Sequence, residues 1–500
     1  MSNGLAVREE LFDVAVIGAG FGGLGAALTL AEQGQRVVLF EALKYPGGCA
    51  STFSRGGYRF ESGATLFSGF APGQPFAKWI ERHQMEVTTR SIAPMVQLRT
   101  SEFVLDISSD RDSLIDSLCA LPGVPAERCR AFFDYQRTIA DVLWSLLDDP
   151  TLLPPFRMST LMRHVARVPR YAALLRCIGR PLAQILKRFG LENCTPLRHY
   201  LDAVLQITVQ ASSEEAEAPF ALATMDYYFR GTVHVHHGIG ALAQAMVDAC
   251  TQLGTSARMA DAVHSVRREG IYWRITTRKS NVLARHVVAN VLPSAAASLL
   301  GQATPRTQSL QRAVDAGWSA IMLYLAVTGD RIARREAHHL ELVLDPRAPF
   351  VDGNHVFLSI SGEDEPERAP HGQRTITCST HVAMSKLRGL DDAARAQLVA
   401  SIQDQMRQTL AARAPEISEA IVHELTASPR TFERFTRRPE GLVGGVPRRA
   451  GLAHYRHLGP MQIAPHVWLV GDSVFPGQST LATAIGGMRV AAAIGARSSA

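Results

Sequence analysis

The chain has 500 residues, 46% of them hydrophobic and 20% charged, with 52 Lys and Arg against 46 Asp and Glu for a net charge of +6. That length exceeds what one hydrophobic core usually supports, so two or more domains are expected. The modest, dispersed positive charge comes with no aromatic–basic module, which speaks against a nucleic-acid partner, and no apolar window of about eighteen residues stands out as a membrane span.

Met1 to Glu10 carry no apolar core of a signal peptide, and seven cysteines form an odd set without a CxxC pair. Both features predict reduced thiols and a cytoplasmic protein. The first element follows at once. Asp13-Val14-Ala15-Val16-Ile17 is a continuous apolar run of the kind a buried parallel strand needs, and it meets Gly18-Ala19-Gly20-Phe21-Gly22-Gly23. Glycines there permit a tight turn and close approach of backbone to a pyrophosphate, with the amides of a following helix (about 22–33) facing the phosphates. A second strand over 36–40 ends at Glu41, 23 residues beyond Gly18, where a carboxylate can accept ribose hydroxyls and disfavour a 2′-phosphate.

Gly47-Gly48-Cys49-Ala50-Ser51-Thr52 continues this segment, and Gly56-Gly57-Tyr58-Arg59-Phe60 predicts a hairpin. From about 110 to 230 apolar residues recur at helical spacing, as in Leu143, Leu146 and Leu147. Within that region, no acidic residue lies between Pro150 and Leu191, while Arg157, Arg163, Arg167, Arg170, Arg176 and Arg180 are interleaved with apolar side chains. Such a stretch fits an anionic membrane interface and fits a solvated basic face equally. A helix over 240–253 and strands at 263–266, 272–276 and 286–291 restore α/β character. Residues 315–385 then alternate as sheet strands do, exemplified by Ala320-Ile321-Met322-Leu323-Tyr324-Leu325, and a helix fits 391–413.

Near the end, Val467-Trp468-Leu469-Val470 runs into Gly471-Asp472, then Pro476-Gly477 and a helix from Thr480. The pair of glycine-rich segments at opposite ends of the chain points to FAD. The predicted fold class is α/β: a discontinuous Rossmann-type FAD-binding domain (1–105, 232–300 and 455–500) with an inserted α+β substrate domain of mixed sheet and helices (106–231 and 301–454).

These stretches, with Gly47 through Phe53, Gly63-Ala64-Thr65, Gly231 through Leu242, Pro429-Arg430-Thr431 and Gly471 through Gln478, resemble the phytoene desaturase and carotenoid isomerase family within the amine oxidase-like flavoproteins. The early block is similar to the carotenoid 3,4-desaturase branch, and the Gly471–Gln478 block to the isomerase C-terminal motif. The resemblance implies FAD contacts at Gly18, Gly20, Gly22, Gly23, Glu41, Gly47, Gly48, Cys49, Ala50, Ser51, Gly63, Ala64, Thr65, Val263, Gly471, Asp472, Gly477, Thr480, Leu481 and Ala482. Asp472 would bind a ribityl hydroxyl, and Gly486 and Gly487 would let the last helix approach the cofactor closely. The chain departs from the family at Val235-His236-His237-Gly238, where a proline and a glycine pair are usual. His234, His236 and His237 lack accompanying acids or cysteines, so no metal is expected. His236 and His237 near the flavin edge, and Arg430, are the candidate polar helpers.

The implied reaction removes two hydrogens from an allylic CH2–CH2 unit of a long hydrophobic polyene by hydride transfer to flavin, with oxygen or a quinone as acceptor. The alternatives are redox-neutral cis–trans isomerisation by reduced FAD, or oxidation or saturation of another hydrophobic metabolite; a non-catalytic flavin-binding lipid carrier ranks last. At about 0.8 kcal/mol per CH2, a C40 chain forfeits roughly 30 kcal/mol on entering water. The enzyme is therefore expected to load from a bilayer, peripherally on the inner face of the cell membrane.

Overall fold

The protein is described from a computed structural model covering residues 10–63, 65–156 and 158–498. The segment before Glu10, Ala64 and Arg157 lie outside the described residues.

Two sheets organise the chain. In the first, five parallel strands run in the order Ser256–Arg258, Val37–Phe40, Glu10–Ile17, Asn281–Ala289 and Val467–Leu469. Their apolar continuity follows from burial on both faces: Val14, Ala15, Val16, Val38 and Leu39 are all fully buried. Antiparallel strands Val263–Glu269 and Tyr272–Thr277 extend one side, and Met461–Ala464 borders the last strand. The helices Phe21–Glu32 and Thr480–Ser498 pack together against this sheet. A Cβ added to Gly487 would lie 2.2 Å from Gly22 O, and one on Gly25 2.5 Å from Ala484 O. The close approach expected of Gly487 toward a cofactor is thus made toward the first helix instead, and a Cβ on Gly486 would meet Pro476 at 3.6 Å.

The second sheet runs Ile421–Ala427, Trp318–Thr328, Gln373–Ala383, His355–Ile360, His338–Val343, Val96–Arg99 and Val104–Ile107. All neighbours are antiparallel except Val96–Arg99, which pairs parallel with His338–Val343. The two strands at 96–107 therefore join the substrate sheet, whereas the sequence boundary at 105 had assigned them to the cofactor domain; a distant strand pairing, invisible locally, recruits them. Side-chain parity does the rest. Ile321, Leu323, Leu325, Leu340, Leu358 and Ile376 share one face and pack with Ile402, Met406 and Leu410 of the helix Asp392–Arg413. The opposite parity (Ala320, Met322, Phe357, Ser379, His381) faces the interior between the two sheets.

Residues 111–229 are helical, as the spacing predicts, with the long helix Ala126–Asp148 and the helices Thr195–Thr208 and Ala218–Thr224 roofing that interior. No helix among the described residues is long and apolar enough to cross a membrane.

Candidate functional site

The strand registers place the carboxyl ends of the parallel strands in one line: Ile17 pairs with Phe40 and Ala289, and Ala289 with Leu469. Ligands of open parallel sheets sit just beyond such ends. There the turn after Ile17, the Asn290 side chain and Gly471 converge. A Cβ on Gly20 would lie 2.7 Å from Asn290 Nδ2, one on Gly22 2.7 Å from Asn290 Oδ1 and 3.0 Å from Gly471 N, and one on Gly471 2.9 Å from Asn290 Oδ1. Glycine is required because the loop and Asn290 already fill the space a side chain would take. The result is an open cradle at the N-terminus of the helix Phe21–Glu32, whose unpaired amides and dipole suit a pyrophosphate.

Glu41 is buried beside the cradle, accepting hydrogen bonds from Ala19 N–H (2.8 Å, Oε2) and Leu43 N–H (2.8 Å, Oε1). Burial raises its carboxyl above the usual carboxylate range, and those two amides work against the rise. Remaining lone pairs on both oxygens can accept further hydroxyl donors. Orphaned polar atoms mark the rest of the site: Asp261 Oδ1, Ser294 Oγ and Thr480 Oγ1 are buried without a partner. The cradle, the acid and these unfilled donors and acceptors fit FAD.

A cavity of about 770 Å3 extends from this cradle to the second sheet, within the roughly 300–1,000 Å3 usual for cofactor and small-molecule sites. Gly18, Gly20, Gly22, Glu41, Gly47, Gly48, Cys49, Ala50, Gly63, Thr65, Val263, Gly471, Asp472, Thr480, Leu481 and Ala482 all line it. Three expected residues do not. Gly23 packs against Gly18 O, where a Cβ would stand 2.0 Å away; Gly477 packs against the Arg448 guanidinium; and the Ser51 hydroxyl bonds Ser62 Oγ at 3.0 Å. Ala64 lies outside the described residues.

His236, His237 and Arg430 are placed away from the cavity. His237 pairs with Glu367 (2.5 Å) and His236 with the Asp364 carbonyl (3.2 Å), His234 pairs with buried Glu365 (3.0 Å), and Arg430 is exposed on the helix Pro429–Thr436. The expectation of an imidazole from this group at the flavin edge is therefore corrected. These side chains instead clamp the 361–368 loop, with Arg368 bridging Glu61 (3.2 Å) and Glu365 (3.5 Å).

Residues missed in sequence complete the site. Asn290 is one; its signal was a lone amide ending an apolar strand. Arg438 is another, forming an ion pair with Asp472 at 2.8 Å, and nothing in the local sequence marks it. Burial pushes the adjacent Cys49 thiol up, with Arg438 opposing and Asp472 adding to the rise, so Cys49 is a neutral thiol. Beyond the cofactor residues the walls turn apolar: Leu143, Trp144 and Leu147 from the long helix, Phe220 from the roof, Met322 and Phe357 from the sheet.

A glycine cradle on a parallel sheet, opening into an apolar chamber, defines an FAD-dependent oxidoreductase. The chain belongs to the flavin containing amine oxidoreductase family, whose pattern matches residues 21–495. It is similar to a prolycopene isomerase of Arabidopsis thaliana, 24% identical over 97% of this chain and 84% of the relative. A neurosporene-forming phytoene desaturase of Rhodobacter capsulatus is 35% identical over 19% of this chain and 18% of its own. An oxidoreductase of Methanosarcina mazei has the same fold, with a TM-score of 0.64 at 19% identity over 96% of this chain and 99% of that one.

Proposed function

We propose that this flavoenzyme desaturates a carotenoid or similar long hydrophobic polyene. The observation that carries the reading is the continuity of the cavity, which runs without a break from the dinucleotide cradle to a wall of leucine, phenylalanine and methionine side chains. The names of the relatives support a polyene rather than an amine, and one of them, an isomerase, keeps cis–trans isomerisation as the second reading.

Gly18, Gly20 and Gly22 would admit the pyrophosphate, Glu41 would accept the ribose hydroxyls, and the Arg438–Asp472 pair would meet the ribityl chain. The start of the helix Thr480–Ser498 would face the pyrimidine edge of the ring, where its dipole favours negative charge on the reduced form. Bound FAD would supply hydride acceptance, with oxygen or a quinone as the proposed final acceptor. The chain's own contribution is to hold the polyene straight against the ring and keep water out, since a delocalised cation forms in the substrate itself.

Access from a bilayer supports the same reading. Of thirteen large apolar side chains exposed among the described residues, seven fall between Phe156 and Leu175, with Met158 79% and Leu175 68% exposed. Exposed Arg163, Arg170 and Arg176 flank them, and Leu153, just before, lines the cavity. Apolar side chains ringed by arginines suit an anionic membrane surface and support a peripheral position on the inner face of the membrane.

The test is purified holoenzyme under anaerobic conditions with a phytoene-to-lycopene series in liposomes. Bleaching of the flavin by a more saturated polyene, with a longer-wavelength product, is expected. Isomerised product only after chemical reduction of the flavin establishes the second reading. No response to any polyene overturns both.

A further inference from the structure

The proposed desaturation must dispose of a proton, and His236, His237 and Arg430 lie outside the cavity. One histidine of the described residues lines it: His381, on the strand Gln373–Ala383. Strand parity aims it inward, as Cys378 and Val382 belong to the opposite, helix-covered face. Its cavity-lining neighbours are Ala320, its cross-strand partner, and Ser379, Met322 and Phe357, which pair across the next row of the sheet. Among the described residues neither ring nitrogen of His381 has a hydrogen-bond partner, and its ring meets Trp318 edge-on at 6.2 Å. On the neighbouring strand His355 lies close enough for His381 to depress its basicity, and its Nε2 is buried without a partner.

We propose that His381 is the base that receives the substrate proton, a role that rests on the desaturase reading above. One substrate C–H bond breaks with its electron pair, and that hydride passes to FAD, the two-electron oxidant. The C–H bond on the adjacent carbon then breaks; its proton goes to a ring nitrogen of His381 and its electron pair becomes the π bond of the new alkene. A neutral imidazole is needed for this. Burial lowers His381 to about 4 and His355 to about 3, the latter depressed further by His381. A base this weak serves because a C–H beside a delocalised cation is strongly acidic, and the imidazolium, poorly solvated, returns its proton when product leaves. The carbon acid and the base also need not compete with water in an apolar chamber.

Two variants and two readouts test it. His381→Ala and the closer-shaped His381→Gln, each checked for FAD loading and melting temperature, are expected to slow flavin bleaching at saturating polyene at least tenfold, general bases typically contributing about 10²–10⁴. Added imidazole is expected to restore part of the rate in His381→Ala. Independently of turnover, diethylpyrocarbonate is expected to acylate His381 in the apoprotein, mapped by peptide mass spectrometry, and a bound polyene to shield it. Wild-type bleaching rates in both folded variants overturn the assignment while leaving the desaturase reading intact; so does acylation unchanged by polyene. A wild-type enzyme that shields His381 with polyene but never bleaches overturns the desaturase reading, and with it the role of base, while the position of His381 in the substrate chamber stands.

Discussion

At the scale of single residues, the site depends on what is missing as much as on what is present. Any Cβ added to Gly22 would stand 2.7 Å from Asn290 Oδ1 and 3.0 Å from Gly471 N, inside van der Waals contact, so Gly22→Val forces the turn apart. We expect that variant to purify colourless, without the flavin absorbance of the wild type, yet with unchanged far-ultraviolet circular dichroism. Arg438 offers a graded test. Its guanidinium holds Asp472 at 2.8 Å in a partly buried setting, and a hydrogen bond to a charged partner is worth about 1.5–3 kcal/mol. Arg438→Met is expected to weaken FAD binding by about that amount, read from a titration of the apoprotein; unchanged affinity would show that Asp472 needs no cation to bind the cofactor. Glu41 and the glycines of the first segment were readable in sequence because phosphate and ribose recognition uses a fixed local spacing, whereas Asp472 entered through the family resemblance. Arg438 and His381 were not, because each acts on a group brought near only by folding, and no short motif surrounds them.

At the scale of elements, the helices Met158–Val165 and Val168–Leu175 pose a contrast. Neither contributes a fully buried large side chain to the core, and the second has no buried residue at all. A helix that buries so little against its own protein is held by something else or by little. Met162→Glu combined with Leu175→Glu places two carboxylates on this surface, at sites 66% and 68% exposed. The double variant is expected to melt within about 1 kcal/mol of the wild type, as surface substitutions do, and to lose co-sedimentation with anionic liposomes. Retained binding would remove this surface from the membrane contact. The charge pattern alone fits a solvated basic face and a membrane face equally; the exposure of the apolar residues between the arginines supports the proposed membrane face. In the sheet, by contrast, Ala320 to Leu325 are apolar throughout, and the faces are assigned only by the helix Asp392–Arg413 covering Ile321, Leu323 and Leu325.

At the scale of the whole molecule, burial shifts several titratable groups of the interior toward their neutral forms. Burial drives His338 to about 4 and His339 and His355 to about 3. Each therefore binds fewer protons folded than unfolded, where the ordinary value is about 6.5. Their contribution to stability is complete above about pH 6.5 and is lost as pH falls from there toward 3–4. Glu365 acts in the same direction: burial opposes it, but the His234 hydrogen bond and Arg368 hold its carboxyl well below the usual range. Glu341, raised to about 8 by burial, has the opposite sign, contributing fully below about pH 4.5 and losing that contribution as pH rises through 8. The melting temperature is thus expected to peak between about pH 6.5 and 7.5 at constant ionic strength, falling steeply on the acid side and gently on the alkaline side. A flat profile from pH 5 to 7 would mean that these rings are hydrated in solution.

What the sequence by itself determined is the cofactor end of the molecule: a strand, a glycine turn, a helix, an acid and a distant second glycine segment define a dinucleotide cradle because that recognition is built from consecutive backbone amides. The stop and resumption of the nucleotide pattern also anticipates a first sheet assembled from segments far apart in the chain. Only the tertiary structure decided which residues face the substrate. Strands at 96–107 crossed to the second sheet, His234, His236 and His237 were drawn into a hydrogen-bonded clamp on the 361–368 loop, and His381 was turned inward. Each of these outcomes follows from pairing between segments tens to hundreds of residues apart, and a pairing of that kind leaves no periodic trace in either segment alone.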